Sequence, residues 1–275
     1  MEKKLFLINN ISCKEVHGKN RCKKCNLIFI NNILCFLNYE QKDFKVEQAN
    51  VKLSYSSWKK DNFLKVYNYL KNKENLKILD IGSGRNLIEI IYPDLKKNLF
   101  IHLDIAPRLY VDIIADFEKE IYFDGCFDVL ICLNVLEHVF NFHEFIKNMS
   151  RVIKPKGKLL LSIPYNSGLH YLPHDYFRMS HYALKRLLND NNFEVIKIEP
   201  FYQNRIDKIL KDIKLSLADK SLTAKMLKII IIFLIRVYNK LFKNHINPIL
   251  IDDAEKKFSK LYTEPLGYFL EATRK

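Results

Sequence analysis

No stretch of this 275-residue chain approaches the roughly 20 consecutive apolar residues that cross a bilayer, and its longest uninterrupted run, 229–235, is far shorter. A membrane-spanning helix is therefore not expected. No cleavable leader is legible either, so the six cysteines are not read as a secreted disulfide framework, and Cys126 and Cys132 fall in or beside apolar strand patterns. A reducing cytosol is the expected compartment. Acids are in short supply: Lys+Arg 45 against Asp+Glu 31 gives a formal net charge of +14, which suits nucleic acid, anionic lipid or sugar phosphates. The lysines are scattered, however, and abundant Lys, Asn and Ile with few Arg fit an AT-rich coding sequence as well. At 48% hydrophobic and 28% charged, the composition is that of a globular protein able to bury one substantial α/β core with appendages.

The chain is organised around residues 77–86, KILDIGSGRN. Ile78, Leu79 and Ile81 read as a buried strand, Asp80 sits at its carboxyl end, and Gly82 and Gly84 allow a tight turn beneath a ligand. Open parallel sheets bind ligands at that edge. Two nucleotide signatures are missing here. The third glycine of a dinucleotide fingerprint is replaced by Leu87, and no Gly-Lys-Ser/Thr ending marks a triphosphate site.

The loop instead resembles motif I of class I S-adenosylmethionine-dependent methyltransferases, whose ligand has no phosphate and needs acids around its amino group and ribose. The following segments match in order. LFIHLDI (99–105) is a second strand ending in Asp104, roughly 20 residues beyond the turn, where an acid can bind both ribose hydroxyls. VDIIADF (111–117) ends in Asp116, which the resemblance sets beside the adenine amino group. FDVLICLN (127–134) is a further strand, 135–153 reads as one helix with Leu136-Glu137-His138 on its first turn, and KPKG (154–157) turns into the strand KLLLSIP (158–164). The resemblance implies an α/β, Rossmann-like seven-stranded sheet with an antiparallel last strand. It implies S-adenosylmethionine held by Asp80, Gly82, Ser83, Gly84, Asp104, Ile105, Asp116, Phe117 and Asn134.

A hydroxyl acceptor needs a base of near-neutral pKa, for which histidine is best suited. His138 beside Glu137 is one candidate, with helix capping as its structural alternative. The other is His174, in HYLPHDYFRMS (170–180). The run from IPY to HYLPHDYFRMSHYALKRLL resembles a segment of type 11 methyltransferases associated with surface-polysaccharide and lipid-linked glycan pathways. That likeness implies a glycan or lipid-linked sugar as acceptor, lined by His174, Asp175, Tyr176 and Arg178. Asp175 and Arg178 could equally pair with each other to fix the loop.

A rival reading comes from metal-assisted O-methyltransferases of quinone precursors and RNA ends, which use Glu-x-x-Glu-His. Here Asn134 stands in for the first carboxylate, ahead of Glu137 and His138, with His174 as the histidine from the next loop, and one acid with two imidazoles is a poor set for magnesium. No compact basic-aromatic surface supports RNA. A reading of another class, a non-catalytic scaffold of the same fold at a membrane, is opposed by the intact Gly82, Gly84, Asp104 and Asp116.

The remaining divisions are an N-terminal segment 1–50, the core 51–200, an insertion 201–262 and a last strand within 263–275. The segment RCKKCNLIF (21–29) resembles the second knuckle of a zinc ribbon. A structural zinc usually takes two ligand pairs; Cys13, His17, Cys22 and Cys25 could supply four ligands, but the first pair is incomplete, and a degenerate ribbon explains the same residues. In the core, 54–71 carries Trp58, Phe63, Val66, Tyr67 and Leu70 at helical spacing. The insertion, about 60 residues, is too long for a bare loop. Within it, 224–243 puts Met226, Ile229, Ile230, Phe233, Leu234, Val237 and Leu241 on one helical face and mostly basic residues on the other. That pattern fits the headgroup region of an anionic membrane, on its cytoplasmic side, or alternatively a lid or dimer contact.

Overall fold

The computed structural model describes residues 28–30, 33–36, 57–84, 88–108, 110–119, 123–201, 229–230, 233–234, 237 and 265–275. Cys13, His17, Cys22, Cys25 and most of 201–262 lie outside these residues.

Nine strands form one sheet: β1 (Ile28–Ile30), β2 (Ile33–Cys35), β3 (Lys77–Ile81), β4 (Leu99–Asp104), β5 (Ile113–Ile114), β6 (Phe127–Leu133), β7 (Ile153–Pro164), β8 (Phe193–Phe201) and β9 (Gly267–Arg274). Their order is β1-β2-β5-β4-β3-β6-β7-β9-β8. From β2 to β7 all neighbours are parallel, while β9 runs antiparallel between β7 and β8. The expected seven strands are thus present with the antiparallel last strand. A β1–β2 hairpin extends the edge, since Leu34 and Cys35 pair with Ile113 and Ile114. Cys35 is fully buried there, so this cysteine packs as a small residue of the core.

Alternation along the strands divides the core. Leu79, Ile81, Ile101, Leu103 and Leu130 face one side, and Ile78, Phe100, Val129, Ile131 and Leu160 the other. Helix α1 (Ser57–Leu70) covers the second face with Phe63, Val66 and Leu70. It is pinned by a buried polar contact: Asn62 Nδ2 donates to Ser162 Oγ at 3.0 Å and to Asn134 Oδ1 at 3.2 Å. Asn62 has no exposed surface, so these bonds recover part of its desolvation cost and fix the helix in one register over the strand ends.

A short helix, α2 (Ile88–Ile91), follows the glycine turn, and α3 (Phe142–Val152) and α4 (His181–Asp190) pack on the first face. The expected single helix over 135–153 is instead divided. Leu136–His138 forms a 3-10 turn, Val139 is extended, and α3 starts afresh behind Asn141, whose side chain accepts from Glu144 N. The backbone N–H groups of Phe140 and Asn141 donate to the Glu118 carboxylate at 3.1 and 2.9 Å. Taken by a side chain, they are not available to continue the first turn into the second. The chain winds β3, β4, β5 outward and then returns to β6, so the direction reverses between β3 and β6, and a crevice opens at their carboxyl ends.

Candidate active site

The crevice is built from the turns that leave β3, β4, β5 and β6. At Gly82 the backbone is left-handed (φ +68°), and a Cβ there would lie 2.4 Å from Val135 Cγ2. Only glycine lets the turn after β3 lie against the turn after β6. Gly82 and Ser83 donate their N–H groups to Leu103 O at 2.7 and 3.2 Å, binding the turn to β4.

The acids expected at the strand ends lie on adjacent strands and loops. Asp104 Oδ2 accepts from Gly84 N at 3.0 Å and Oδ1 from Ala106 N at 3.0 Å, with Arg108 Nε 3.5 Å away. Each carboxylate oxygen retains a further lone pair for a ligand hydroxyl. Asp116 accepts from Glu118 N at 3.1 Å and pairs with Lys119 at 3.0 Å. Its loop is held by Asn148 Nδ2, which donates to the carbonyls of Phe117 and Lys119. Phe117 is buried, whereas Ile105 is exposed.

Asp80 opens into a pocket shared with Lys59, Phe63, Gly82, Ser83, Ile88, Ile131 and Leu133. Behind it His102, with no exposed surface, sits 3.3 Å from Asp80 Oδ2 through Nδ1 and 2.7 Å from Glu89 Oε1 through Nε2. Burial alone would lower the pKa of this imidazole, but the two carboxylates outweigh it and carry the ring to about 9. Burial raises the Asp80 carboxyl, and the His102 cation opposes that rise. Burial likewise lowers the Lys59 pKa, with the Asp80 charge opposing. Ser83 Oγ is buried without a hydrogen-bond partner. The residues fit a phosphate-free nucleoside with a zwitterionic tail, because an unsatisfied hydroxyl and acidic side chains line the crevice and no phosphate-binding motif accompanies them.

The second half of the site begins one turn away. Glu137 is wholly buried, and neither carboxylate oxygen has a hydrogen-bond partner. His138 Nδ1 donates to His174 O at 2.6 Å, which leaves Nε2 3.7 Å from Glu137 Oε1. His170 presents Nε2 to the same oxygen at 3.7 Å, with its Nδ1 near Gly168 O and Asp175 Oδ2. One ligand atom from each of Glu137, His138 and His170 lies within 4.8 Å of the others. Burial, reinforced by the neighbouring His170, lowers the His138 pKa, so this ring is neutral at neutral pH.

The remaining residues singled out in the 170–180 loop have structural partners. Asp175 receives both Arg178 guanidinium nitrogens, at 2.6 and 2.8 Å, and His170 N at 2.7 Å. The Arg178 hydrogen bond holds its carboxyl well below the usual range. This is the loop-fixing pairing that the sequence left open. The His174 ring is exposed and meets Tyr176 OH at 2.8 Å, while its carbonyl orients His138. Glu137 O accepts from Tyr176 N and Phe177 N, joining the loop to the 3-10 turn. Phe140, Leu169, Tyr171, Leu172 and Tyr176 form an exposed, largely apolar set on these segments. Asn134, at φ +58°, spends its side-chain oxygen on Asn62 and Ser162. His170 and His102 were not singled out from sequence. His170 lies four residues before His174 in a stretch marked as polar and aromatic, which is the available signal; His102 lies within LFIHLDI (99–105), where the strand pattern alone does not distinguish it.

Residues 55–198 match the family model described as a methyltransferase domain. A ubiquinone biosynthesis O-methyltransferase of Rickettsia bellii is 30% identical over 139 residues, 40% of this chain and 58% of that protein. An uncharacterized protein of Methanocaldococcus jannaschii, MJ0638, is 33% identical over 100 residues, 34% of this chain and 43% of its own length. The match thus spans less than two thirds of these curated relatives. The crystal structure of the [4+2]-cyclase SpnF superposes with a TM-score of 0.50 at 14% identity, covering 82% of this chain and 84% of that one, a likeness of fold.

The buried Glu137 carboxyl gives a pH signature. Burial pushes it up to about 8 from 4.5, opposed by its own backbone N–H, the Arg178 charge and the Asn134 side chain, with the Asp175 charge adding. The folded chain therefore holds a proton that the unfolded chain has released, and the associated stability is full below pH 4.5 and lost as pH rises through about 8. The unfolding free energy of metal-free protein should fall between about pH 5 and 8 in urea titrations, and Glu137→Gln should flatten that fall.

Proposed function

We propose that this chain, which belongs to the methyltransferase-domain family, methylates a phenolic hydroxyl of a quinone-type precursor with S-adenosylmethionine as donor. The observation that carries the reading is the junction at Gly82 and Val135, which sets the cofactor turn against Glu137 and His138. Asp80 would face the amino-acid end of the cofactor, Asp104 the ribose and Asp116 the adenine. When bound, the cofactor supplies an electrophilic methyl group on a sulfonium. His138 Nε2 would take the acceptor O–H proton, so that the acceptor oxygen could receive the methyl group that the bound cofactor would supply, with a neutral thioether as the leaving group. His138 suits this step because the His174 carbonyl fixes its tautomer. Alignment of the two reactants would provide most of the rate, up to roughly 7–11 kcal/mol in favourable cases.

A phenol is preferred as acceptor because its pKa near 10 is within reach of a neutral imidazole, whereas an aliphatic alcohol is a far weaker acid. The apolar rim of Phe140, Leu169, Tyr171 and Leu172 suits an acceptor with an apolar tail. The ubiquinone-pathway relatives support this class, while the lipid-linked saccharide implied by the resemblance is the competing one. Labelled cofactor should mark hydroxylated quinone precursors in a lipid extract, and Asp104→Ala should weaken cofactor binding by about tenfold or more, the loss of charge-assisted hydrogen bonds. Label entering only saccharide would replace the phenol, and wild-type affinity in Asp104→Ala would remove the ribose role.

A second reading, metal-assisted transfer, is favoured by the convergence of Glu137, His138 and His170. A cation would satisfy the two orphaned Glu137 oxygens, and both imidazoles have their outer nitrogens next to oxygen atoms, as metal-bound histidines do. Two imidazoles with one carboxylate suit zinc, manganese or iron over magnesium. In this reading, chelation removes activity, manganese or zinc restores it, and His170→Ala blocks restoration without changing cofactor affinity. An undiminished rate after chelation would leave His138 as the unaided base.

The same proposal includes peripheral membrane attachment. Ile229, Ile230, Phe233, Leu234 and Val237 have helical backbone and exposed side chains, and Lys225, Lys228, Lys240 and Lys243 flank them in the sequence. Among the described residues no helix is long and apolar enough to cross a membrane. Sedimentation with anionic vesicles should carry the wild type down and leave Phe233→Asp in solution; equal partition of both would exclude this helix as the anchor.

A further inference from the structure

We propose that His102 is a positioning residue of the cofactor site: bonded on one side to Asp80 and on the other to Glu89, it aims the Asp80 carboxylate at the amino-acid end of the cofactor. The inference rests on the cofactor reading above and adds a residue and a device to it.

Three observations converge. The first is register. His102 is the direct partner of Asp80 across the parallel β3–β4 pair, and both face the α1 side of the sheet. The second is burial: His102 has no exposed surface, and the Asp80 and Glu89 side chains are only 11% and 12% exposed. A fully buried imidazole flanked by two carboxylates is costly unless all three are matched in charge. The third is position. Glu89 lies on α2, immediately after the glycine turn, so one ring ties the helix to the strand on both sides of the cofactor loop.

Apolar residues such as Phe100, whose ring stacks on His102 with centroids 6.1 Å apart, would fill this volume without any desolvation cost. The imidazole does two things that they cannot. As a cation it donates from both nitrogens at once, orienting Asp80 and Glu89 together. It also offsets part of the negative charge that Asp80 and Glu89 would otherwise bring together in the interior. The charged groups around Asp80 are Lys59 from α1, Glu89 from α2 and Asp104 from β4, with the Cys132 thiol of β6 close by. The ring's raised pKa, about 9, agrees with the cationic form.

Because the effect passes through Asp80, it should depend on which part of the ligand is present. The test compares S-adenosylhomocysteine with 5′-methylthioadenosine, which keeps adenosine and the thioether but lacks the amino-acid end, by calorimetry at pH 7.5. In His102→Gln, whose amide reaches toward Glu89 but not Asp80, S-adenosylhomocysteine should weaken by about tenfold or more, the loss of one charge-assisted hydrogen bond, while methylthioadenosine stays within about twofold. In His102→Asn, whose amide nitrogen lies near the former Nδ1, most of the S-adenosylhomocysteine affinity should return. Equal weakening of both ligands would make His102 merely structural and overturn the proposal, as would wild-type S-adenosylhomocysteine affinity in His102→Gln. Wild-type protein that bound neither ligand would overturn the cofactor reading itself.

Discussion

The two halves of the site exist together because residue 82 has no side chain. Any Cβ there would penetrate Val135, and the residue after Val135 opens the turn that carries Glu137 and His138. Separating these turns by even the width of a methyl group would move the cofactor loop away from the candidate base. In methyl transfer, where alignment supplies most of the rate, that displacement falls directly on the reaction coordinate. The left-handed backbone at Gly82 and the hydrogen bonds from Gly82 and Ser83 to Leu103 are the local means by which β3, β4 and β6 share one crevice.

Within that crevice, two buried carboxyl groups are handled in opposite ways. Asp80 is given a cationic partner, His102, which opposes the rise that burial imposes on its carboxyl. Glu137 is buried without a hydrogen-bond partner, and its carboxyl is held neutral to about pH 8. One arrangement spends structure on keeping a charge; the other leaves capacity that something arriving later can use. Buried groups of the second sort cluster at sites that bind or react, and the convergence of His138 and His170 on the same oxygen gives the Glu137 carboxyl two neighbours of the right chemistry.

Much of this was legible in the chain because the signals are local. The apolar runs at 77–81, 99–104 and 127–133, the acids that follow them and the glycine turn all declare themselves within a few residues, and each forms the expected strand or turn. What was not legible depends on pairing over distance. His102 meets Asp80 through strand register, His170 reaches Glu137 through a loop closed by Asp175 and Arg178, and the β1–β2 hairpin joins the sheet through Ile113 and Ile114. The division of 135–153 into a 3-10 turn and a later helix depends on Glu118, a side chain from another loop, so periodicity within the segment could not reveal it. The place of Cys35 is decided by a strand pairing that spacing does not encode.

The position of β9 has a consequence for how the molecule is made. Residues 267–274 fill a slot between β7 and β8, strands that leave the ribosome much earlier. During synthesis both facing edges wait with unpaired N–H and C=O groups, open to pairing with another nascent copy. The sheet is completed only when the segment translated after the insertion is released, so truncation before residue 267 would leave a split sheet although every proposed cofactor and acceptor residue had already been made.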